Sequence, residues 1–524
     1  KIRKLFDSFV RSNPHLINDC LAAIGSPEHG GPSDSDLGRL RQKLMNLLTD
    51  KGSLPAARHD VTTEIDAELL ESWRATVRDP DNQVTQWLRT GSPAGITKQY
   101  PTCGIFPLVD KPNDPRGLEH YSDDFLNYAT VEDDPAAAPE IDKLIASGFV
   151  KTYSSLMEVI EAVGRQPVVS KLKMVTKVLA ANVVKRRLIL DCLTSGTNGE
   201  TIQRERVVLP LITDVIQDTL RMFKAAKKGD IVKHCVLDFT DAFFRIPLDP
   251  NERSYFVAFY KGTFIVWSRI AQGSKNGPQS WGRMSALISR LAQSLFENDE
   301  LLLHTYTDDP LATMLGTEEE INHYVTVLIL VWRVLGFNLA FKKGQLGDSV
   351  GWVGYDIVTN AISQTVQVSI KKEFMDDLTA KTAELLKVNV IGRKDLKSYT
   401  GKVSHVANMI WVLKPFMEQL WAACEQNGGS KRGCVWRRQI DDALTWIKAF
   451  LDQQLGPLRR EWRLQALVAG ATQVMLVFDA CPWGLGAVLY INGEPIQYFT
   501  SALTRFDEVR YQCRIGDSDG QQAW

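Results

Sequence analysis

Two adjacent carboxylates interrupt an apolar stretch. Leu301-Leu302-Leu303-His304-Thr305-Tyr306 enters, Thr307-Asp308-Asp309 breaks it, and Pro310-Leu311-Ala312-Thr313-Met314-Leu315 leaves. Two neighbouring anions repel, and a divalent cation held between them removes that cost; an all-oxygen donor set suits Mg²⁺. A solvated turn is the alternative, because Asp is a common turn residue. A third carboxylate lies upstream, in Cys235-Val236-Leu237-Asp238-Phe239-Thr240-Asp241-Ala242-Phe243-Phe244. Ionised Asp238 beside Val, Leu and Phe is costly unless it is paired or coordinates a metal. Three carboxylates around two Mg²⁺ ions would activate a hydroxyl nucleophile, clamp a triphosphate and stabilise leaving pyrophosphate. A hydrolytic aspartate dyad, one member acting as general base, is the chemical competitor.

Positioning these groups takes few elements. Residues 301–315 read as strand, tight turn and strand, a hairpin with the aspartate pair at its tip. Residues 235–238 read as an apolar strand that delivers Asp238 at its end. Two such antiparallel strands can bring all three carboxylates to one point. Upstream, Ile141, Leu144, Ile145 and Phe149 predict a short amphipathic helix ending at Gly148. Pro167-Val168-Val169-Ser170 and Arg187-Leu188-Ile189-Leu190-Asp191 read as strands joined by a basic stretch that includes Lys171, Lys173, Lys177, Lys185 and Arg186. Such cations can hold phosphates, although a charged solvent face is the commoner role. Downstream, Phe374, Leu378 and Leu385 predict one helix. Leu396, Tyr399, Val403, Val406 and Ile410 predict a second. Near the end, Val474-Met475-Leu476-Val477-Phe478 runs into Asp479, and Asn492-Gly493 between apolar strands is a strong hairpin signal.

The chain of 524 residues is long enough for roughly three domains. Its hydrophobic share of 44% is that of ordinary soluble globular protein, and its net charge of -1 gives no global sign of a nucleic-acid binder, so any basic surface must be local. The eight cysteines are scattered with no CxxC pair, which argues for a reduced, intracellular protein (cytoplasmic or nuclear, not secreted) without a zinc site. No apolar run is long enough to cross a bilayer, and no membrane partner is expected. The first residue is Lys and the chain stops at Trp524 inside an expected domain, so a fragment of a longer polypeptide is expected. Residues 1–95 read as a helical N-terminal extension, and residues 96–140, rich in Pro, Gly and acidic side chains, as a solvated linker.

Taken together, the segment around Asp238 resembles motif A of the reverse transcriptases, and Tyr306-Thr307-Asp308-Asp309 resembles their tyrosine-x-aspartate-aspartate motif C. Trp267 to Pro278 is similar to motif B, Leu335 to Lys343 to motif D, and Val350-Gly351-Trp352-Val353-Gly354-Tyr355 to the primer-grip hairpin. These motifs stand in the family's order over about 140–420. The resemblance implies an α+β right-hand polymerase, with an antiparallel palm sheet. Fingers and palm would span 141–360, thumb and connection helices 361–465, and a truncated ribonuclease H-like α/β module 466–524. It implies Asp238, Asp308 and Asp309 as ligands of Mg²⁺ (or Mn²⁺), and Lys343 as the proton donor to pyrophosphate. Arg187, with Lys177 or Lys185, would grip the triphosphate. Asp241, Ala242, Phe243, Gln272 and Gly273 would border the nucleotide, and Phe243 would exclude a 2′-hydroxyl. Asp479 would be the first metal ligand of the ribonuclease H-like module, which cannot be complete here.

The implied activity is template-directed DNA synthesis within a retrotransposon polyprotein, with RNA template, DNA primer, dNTPs and other polyprotein domains as partners. Three residues depart from the family pattern: Thr307 in the variable slot of motif C, Ala271 in motif B, and Cys192 after Asp191. None removes a ligand. A catalytically inactive remnant that only binds nucleic acid, and an RNA-dependent RNA polymerase, remain as alternatives.

Overall fold

The computed structural model describes residues 1–504 except 49, 110–113, 116, 179–183, 426–432, 468–471 and 482. The chain divides into two compact units, Lys1–Ala361 with Val366–Arg460, and Ile362–Thr365 with the chain from Glu461 onward. In order, the strands of the first unit that matter here are β1 (Val150–Tyr153), β2 (Leu172–Val178), β3 (Val184–Leu190), β4 (Ile231–Val236), β5 (Val257–Tyr260) and β6 (Thr263–Trp267). They continue as β7 (Leu301–Tyr306), β8 (Asp309–Gly316), β9 (Gln345–Gly347), β10 (Ser349–Trp352) and β11 (Tyr355–Asn360).

The fold is α+β. Its central sheet has the order β7-β8-β4-β9, antiparallel at each step. The helices Gly277–Gln293 and Glu318–Val334 pack on this sheet, burying Trp281, Met284, Leu287, Leu328 and Trp332 completely or nearly so. Glu318–Val334 starts where its sequence says it should. The Thr317 hydroxyl accepts from the Glu320 N–H, and the Glu320 carboxylate accepts from the Thr317 N–H, a reciprocal cap. A smaller sheet, β1-β6-β5, and the hairpin β2-β3 stand beside it. The strand expected at 167–170 is not a strand. Val168 and Val169 form only isolated bridges, to His120 and Val257, and the regular pairing begins at Leu172.

The N-terminal helices share the core of the sheet. Phe6, Leu16, Leu44 and Trp73, from four separate helices, lie in one buried cluster with Leu328 and Trp332. At about 1.5–3 kcal/mol per fully buried large side chain, this contact is a substantial part of the fold's stability. Residues 96–140 contain little regular structure, yet they are tied down. The buried Glu252 carboxylate accepts the backbone N–H groups of Ala94, Ile96, Thr97 and Lys98, and the buried Glu205 accepts those of Cys103 and Gly104. Composition alone predicts solvation. The difference is that buried carboxylates, more than 100 residues away in sequence, satisfy the loop's amides.

The second unit contains a three-stranded antiparallel meander, Val474–Cys481, Gly484–Ile491 and Glu494–Ala502. Asn492 and Gly493 have φ of 51° and 86°, the left-handed pair that a tight hairpin turn requires. Every residue of Val474–Cys481 is exposed. Pro482 and residues 505–524, expected to carry the start of the α/β module onward, lie outside the described residues. Among the described residues, no helix is long and apolar enough to cross a membrane.

Candidate active site

Residues 301–316 form the expected hairpin, with Tyr306 paired to Asp309 across a two-residue turn of Thr307 and Asp308. Asp308 occupies the turn itself and Asp309 opens β8. Thr307 has φ of 57°, a left-handed conformation that a β-branched residue adopts only under constraint. The constraint is visible: the Trp281 indole N–H donates to the Thr307 carbonyl at 2.8 Å, and the Trp352 indole donates to the Asp309 carbonyl at 3.0 Å. The chain beyond β4 then runs alongside. Leu237 N–H bonds to the Pro310 carbonyl and Phe239 N–H to the Asp308 carbonyl, at 3.0 and 2.9 Å. Asp238 lies between these two bonds, so its carboxylate is delivered to the tip of the hairpin.

The electrostatics follow from this convergence. Asp238 is buried, and Asp308 and Asp309 are half-buried. Burial, reinforced by the Asp238 charge, pushes the Asp308 carboxyl above the usual carboxylate range. Asp309 is pushed up by burial first, then by the charges of Asp308 and Asp238, and a hydrogen bond shared with Asp238 favours its protonated form. Lys343 opposes both rises. Its ammonium donates to Asp238 Oδ2 at 2.5 Å, from a 3₁₀ turn held against Asp238 by the Ala340 N–H on the Asp238 carbonyl, at 2.8 Å. As it stands, no group of three His, Cys, Asp or Glu side chains among the described residues is arranged to hold a metal ion. The donor chemistry nevertheless fits a hard divalent cation: three carboxylates, two of them strained by their own repulsion, with the Lys343 ammonium standing where positive charge is wanted.

The other expected residues surround this point. Arg187 and Lys185 sit on β3. The Arg187 charge acts on Asp308, and Lys185 is drawn below its ordinary value by burial, then by Arg187 and Lys343. Asp241 has φ of 54°, a conformation Asp tolerates, and opens the 3₁₀ turn Ala242–Arg245. Ala242 is buried, and the Phe243 ring leans on the helix start at Gly277, where a Cβ would lie 3.3 Å from Phe243 Cδ1. Phe244 is a core residue, stacked on Phe149 at 4.7 Å. The Gln272 carbonyl accepts from the Leu190 N–H at 3.0 Å. At Gly273 a Cβ would fall 2.0 Å from the Leu190 carbonyl oxygen, and φ is 115°. Only glycine fits between the motif-B loop and β3. Asp479 lies in the second unit, on an exposed strand, its carboxylate accepting from the Ala480 N–H. No other carboxylate of the described residues joins it in a metal-binding group.

Neither indole announces its role in the sequence: Trp352 stands within the primer-grip pattern with no sign that it supports the aspartate turn, and Trp281 lies just beyond the motif-B segment. The hairpin β10-β11 carries the same Trp352, and its turn at Val353 and Gly354 docks on the helix Arg393–Ala407. There Tyr355 donates to the His405 carbonyl at 2.6 Å.

Sheet, hairpin tip and carboxylate cluster define a palm of polymerase type. Residues 169–357 match the family model "Reverse transcriptase (RNA-dependent DNA polymerase)", and this part of the chain is a reverse transcriptase domain. The chain is 24% identical over 232 residues to the Gag-Pol polyprotein of avian reticuloendotheliosis virus, covering 43% of this chain and 18% of that one. Against the Gag-Pol polyprotein of gibbon ape leukemia virus it is 32% identical over 129 residues, covering 23% and 8%. The chain thus spans less than a fifth of the length of these curated relatives. Among solved structures, a foamy viral protease-reverse transcriptase in complex with double-stranded DNA is similar at a TM-score of 0.44 and 15% identity, covering 76% of this chain and 61% of that one.

Proposed function

We propose that this chain carries out template-directed DNA synthesis from an RNA or DNA template, as part of a retroelement polyprotein. The observation that carries the reading is the convergence of Asp238, Asp308 and Asp309 at one hairpin tip, two of them raised by burial and mutual repulsion. The relatives' polyprotein nature supports the longer context. Mg²⁺ or Mn²⁺ bound by these three carboxylates would lower the charge of the triphosphate and make the primer 3′-hydroxyl a better nucleophile. Arg187 and Lys185 reach the same region from β3 and suit the triphosphate oxygens, Arg through paired contacts. Phe243, on the turn after Asp238, excludes a 2′-hydroxyl by bulk. Lys343, paired with Asp238 here, would be the group that gives a proton to the leaving pyrophosphate once the carboxylates hold their cations.

Primer extension on an RNA template tests this, with dNTPs against NTPs and wild type against Asp308→Asn. Extension by wild type with dNTPs, abolished in Asp308→Asn, is expected. No extension with Mg²⁺ or Mn²⁺ would leave only a nucleic-acid-binding remnant, and extension with NTPs alone would make it an RNA polymerase.

A further inference from the structure

Three arginines are buried behind the nucleotide-facing segments. Arg245 ends the 3₁₀ turn that carries Phe243, Arg269 precedes the Gln272-Gly273 loop, and Arg253 lies between them in sequence; each is 7–8% exposed. Arg245 and Arg253 are close enough for their charges to act on Arg269. Burial and the two neighbouring cations draw Arg269 down to about 10, and Glu64 opposes this. Three buried like charges need compensation. A strap from the N-terminal region, residues 60–64, supplies part of it. Glu64 pairs with Arg245, the Thr62 carbonyl accepts from Arg269, and the Asp60 carbonyl accepts from Arg253 at 2.8 Å, with the Asp60 carboxylate 3.7 Å away.

The strap is fixed at its far end as well. Asp66 N–H bonds to the Leu335 carbonyl at 3.1 Å, and at Gly336 a Cβ would lie 2.4 Å from the Glu64 carbonyl oxygen. The two clamped segments are themselves tied, Ile270 N–H to the Ile246 carbonyl at 3.0 Å. One N-terminal strap therefore holds, from behind, the turn bearing Phe243 and the loop bearing Gln272 and Gly273. It touches none of the three aspartates.

We infer that the residue 60–64 strap, through Glu64 on Arg245, Asp60 on Arg253 and the Thr62 carbonyl on Arg269, sets the width of the nucleotide pocket and hence its selection of deoxynucleotides. Asp60 and Glu64 are positioning residues. The inference rests on the polymerase reading, and it adds a specificity role for a region outside the matched family segment.

The test is steady-state primer extension by Glu64→Ala, Asp60→Ala and Glu64→Asp, with active-site titration of each. The Glu64 side chain is 63% exposed, so its truncation opens no cavity, and the titrated fraction of active enzyme separates lost folding from a changed pocket. Glu64→Ala and Asp60→Ala are each expected to raise KM for dNTPs roughly tenfold and to lower the dNTP-over-NTP preference by about the same factor. The turnover number and the Mg²⁺ concentration for half-activation stay near wild type, and Glu64→Asp restores most of the loss. Unchanged KM and preference in both alanine variants, or a loss confined to the titrated fraction of active enzyme, would overturn the strap's role. A wild type that extends no primer overturns the polymerase reading itself, and this role with it.

Discussion

The hairpin β7-β8 and the meander of the second unit are built from the same materials: apolar strands, a tight turn and an aspartate at a strand end. Their surroundings differ. Pro310 to Gly316 of β8 is buried throughout, whereas Val474–Cys481 is exposed at every residue. Asp308 and Asp309 meet a third carboxylate and its lysine, on a turn that two indoles hold by the Thr307 and Asp309 carbonyls, while Asp479 meets the N–H of its own neighbour. A carboxylate at a strand end acquires unusual chemistry only when other elements crowd it, because desolvation and like charge are what shift it.

The largest expected effect separates the two aspartates. Asp309→Asn should lower primer extension on the order of a thousandfold, equivalent to about 4 kcal/mol of transition-state stabilisation. Asp479→Asn should extend primers at the wild-type rate; equal losses would erase the contrast. Next comes packing. Leu311, fully buried in β8, should cost about 2–5 kcal/mol when cut to Ala, against less than about 0.5 kcal/mol for Leu476→Ala on the exposed strand. Urea denaturation midpoints measure both.

A smaller effect should depend on pH in metal-free protein. A carboxyl whose pKa is higher folded than unfolded contributes stability below the unfolded value, and this is lost as pH rises through the folded value. Asp309 is such a group. The Asp309→Asn protein should therefore be more stable than wild type at pH 8, on the order of 1 kcal/mol, and the gain should vanish near pH 4. A gain independent of pH would remove charge repulsion as its cause. Smallest is Trp352→Phe, which deletes one hydrogen bond to the Asp309 carbonyl and should cost about 1 kcal/mol of stability. Extension should slow several-fold; an unchanged rate would show that the turn needs no such brace.

The meeting of Asp238, Asp308 and Asp309 at one hairpin tip was legible because its signals are local: an apolar run, then Asp, then a turn. The Asn492-Gly493 hairpin was legible for the same reason. What stayed hidden depends on pairs far apart in sequence. Nothing near Glu252 or Glu205 announces that they hold amides between Ile96 and Gly104, so residues 96–140 read as a solvated linker. Nothing near Thr62 announces Arg269, since a backbone carbonyl leaves no trace in side-chain pattern. Nothing in the residues flanking Arg245 and Arg269 announces that both are buried. Their burial is set by the third dimension alone.

Domain portability follows from the strap. The family match begins at residue 169, yet the groups that pair with Arg245 and Arg253 and the carbonyl that accepts from Arg269 stand at 60–64. A protein trimmed to the matched boundary would keep Asp238, Asp308 and Asp309 and expose the core shared with Phe6 and Trp73, leaving three clustered cations with fewer counter-charges. It should aggregate when expressed. A protein that begins at the first helix keeps these groups and should stay in solution when expressed, so the matched segment could be moved into another chain only with the N-terminal helices and residues 60–64 along.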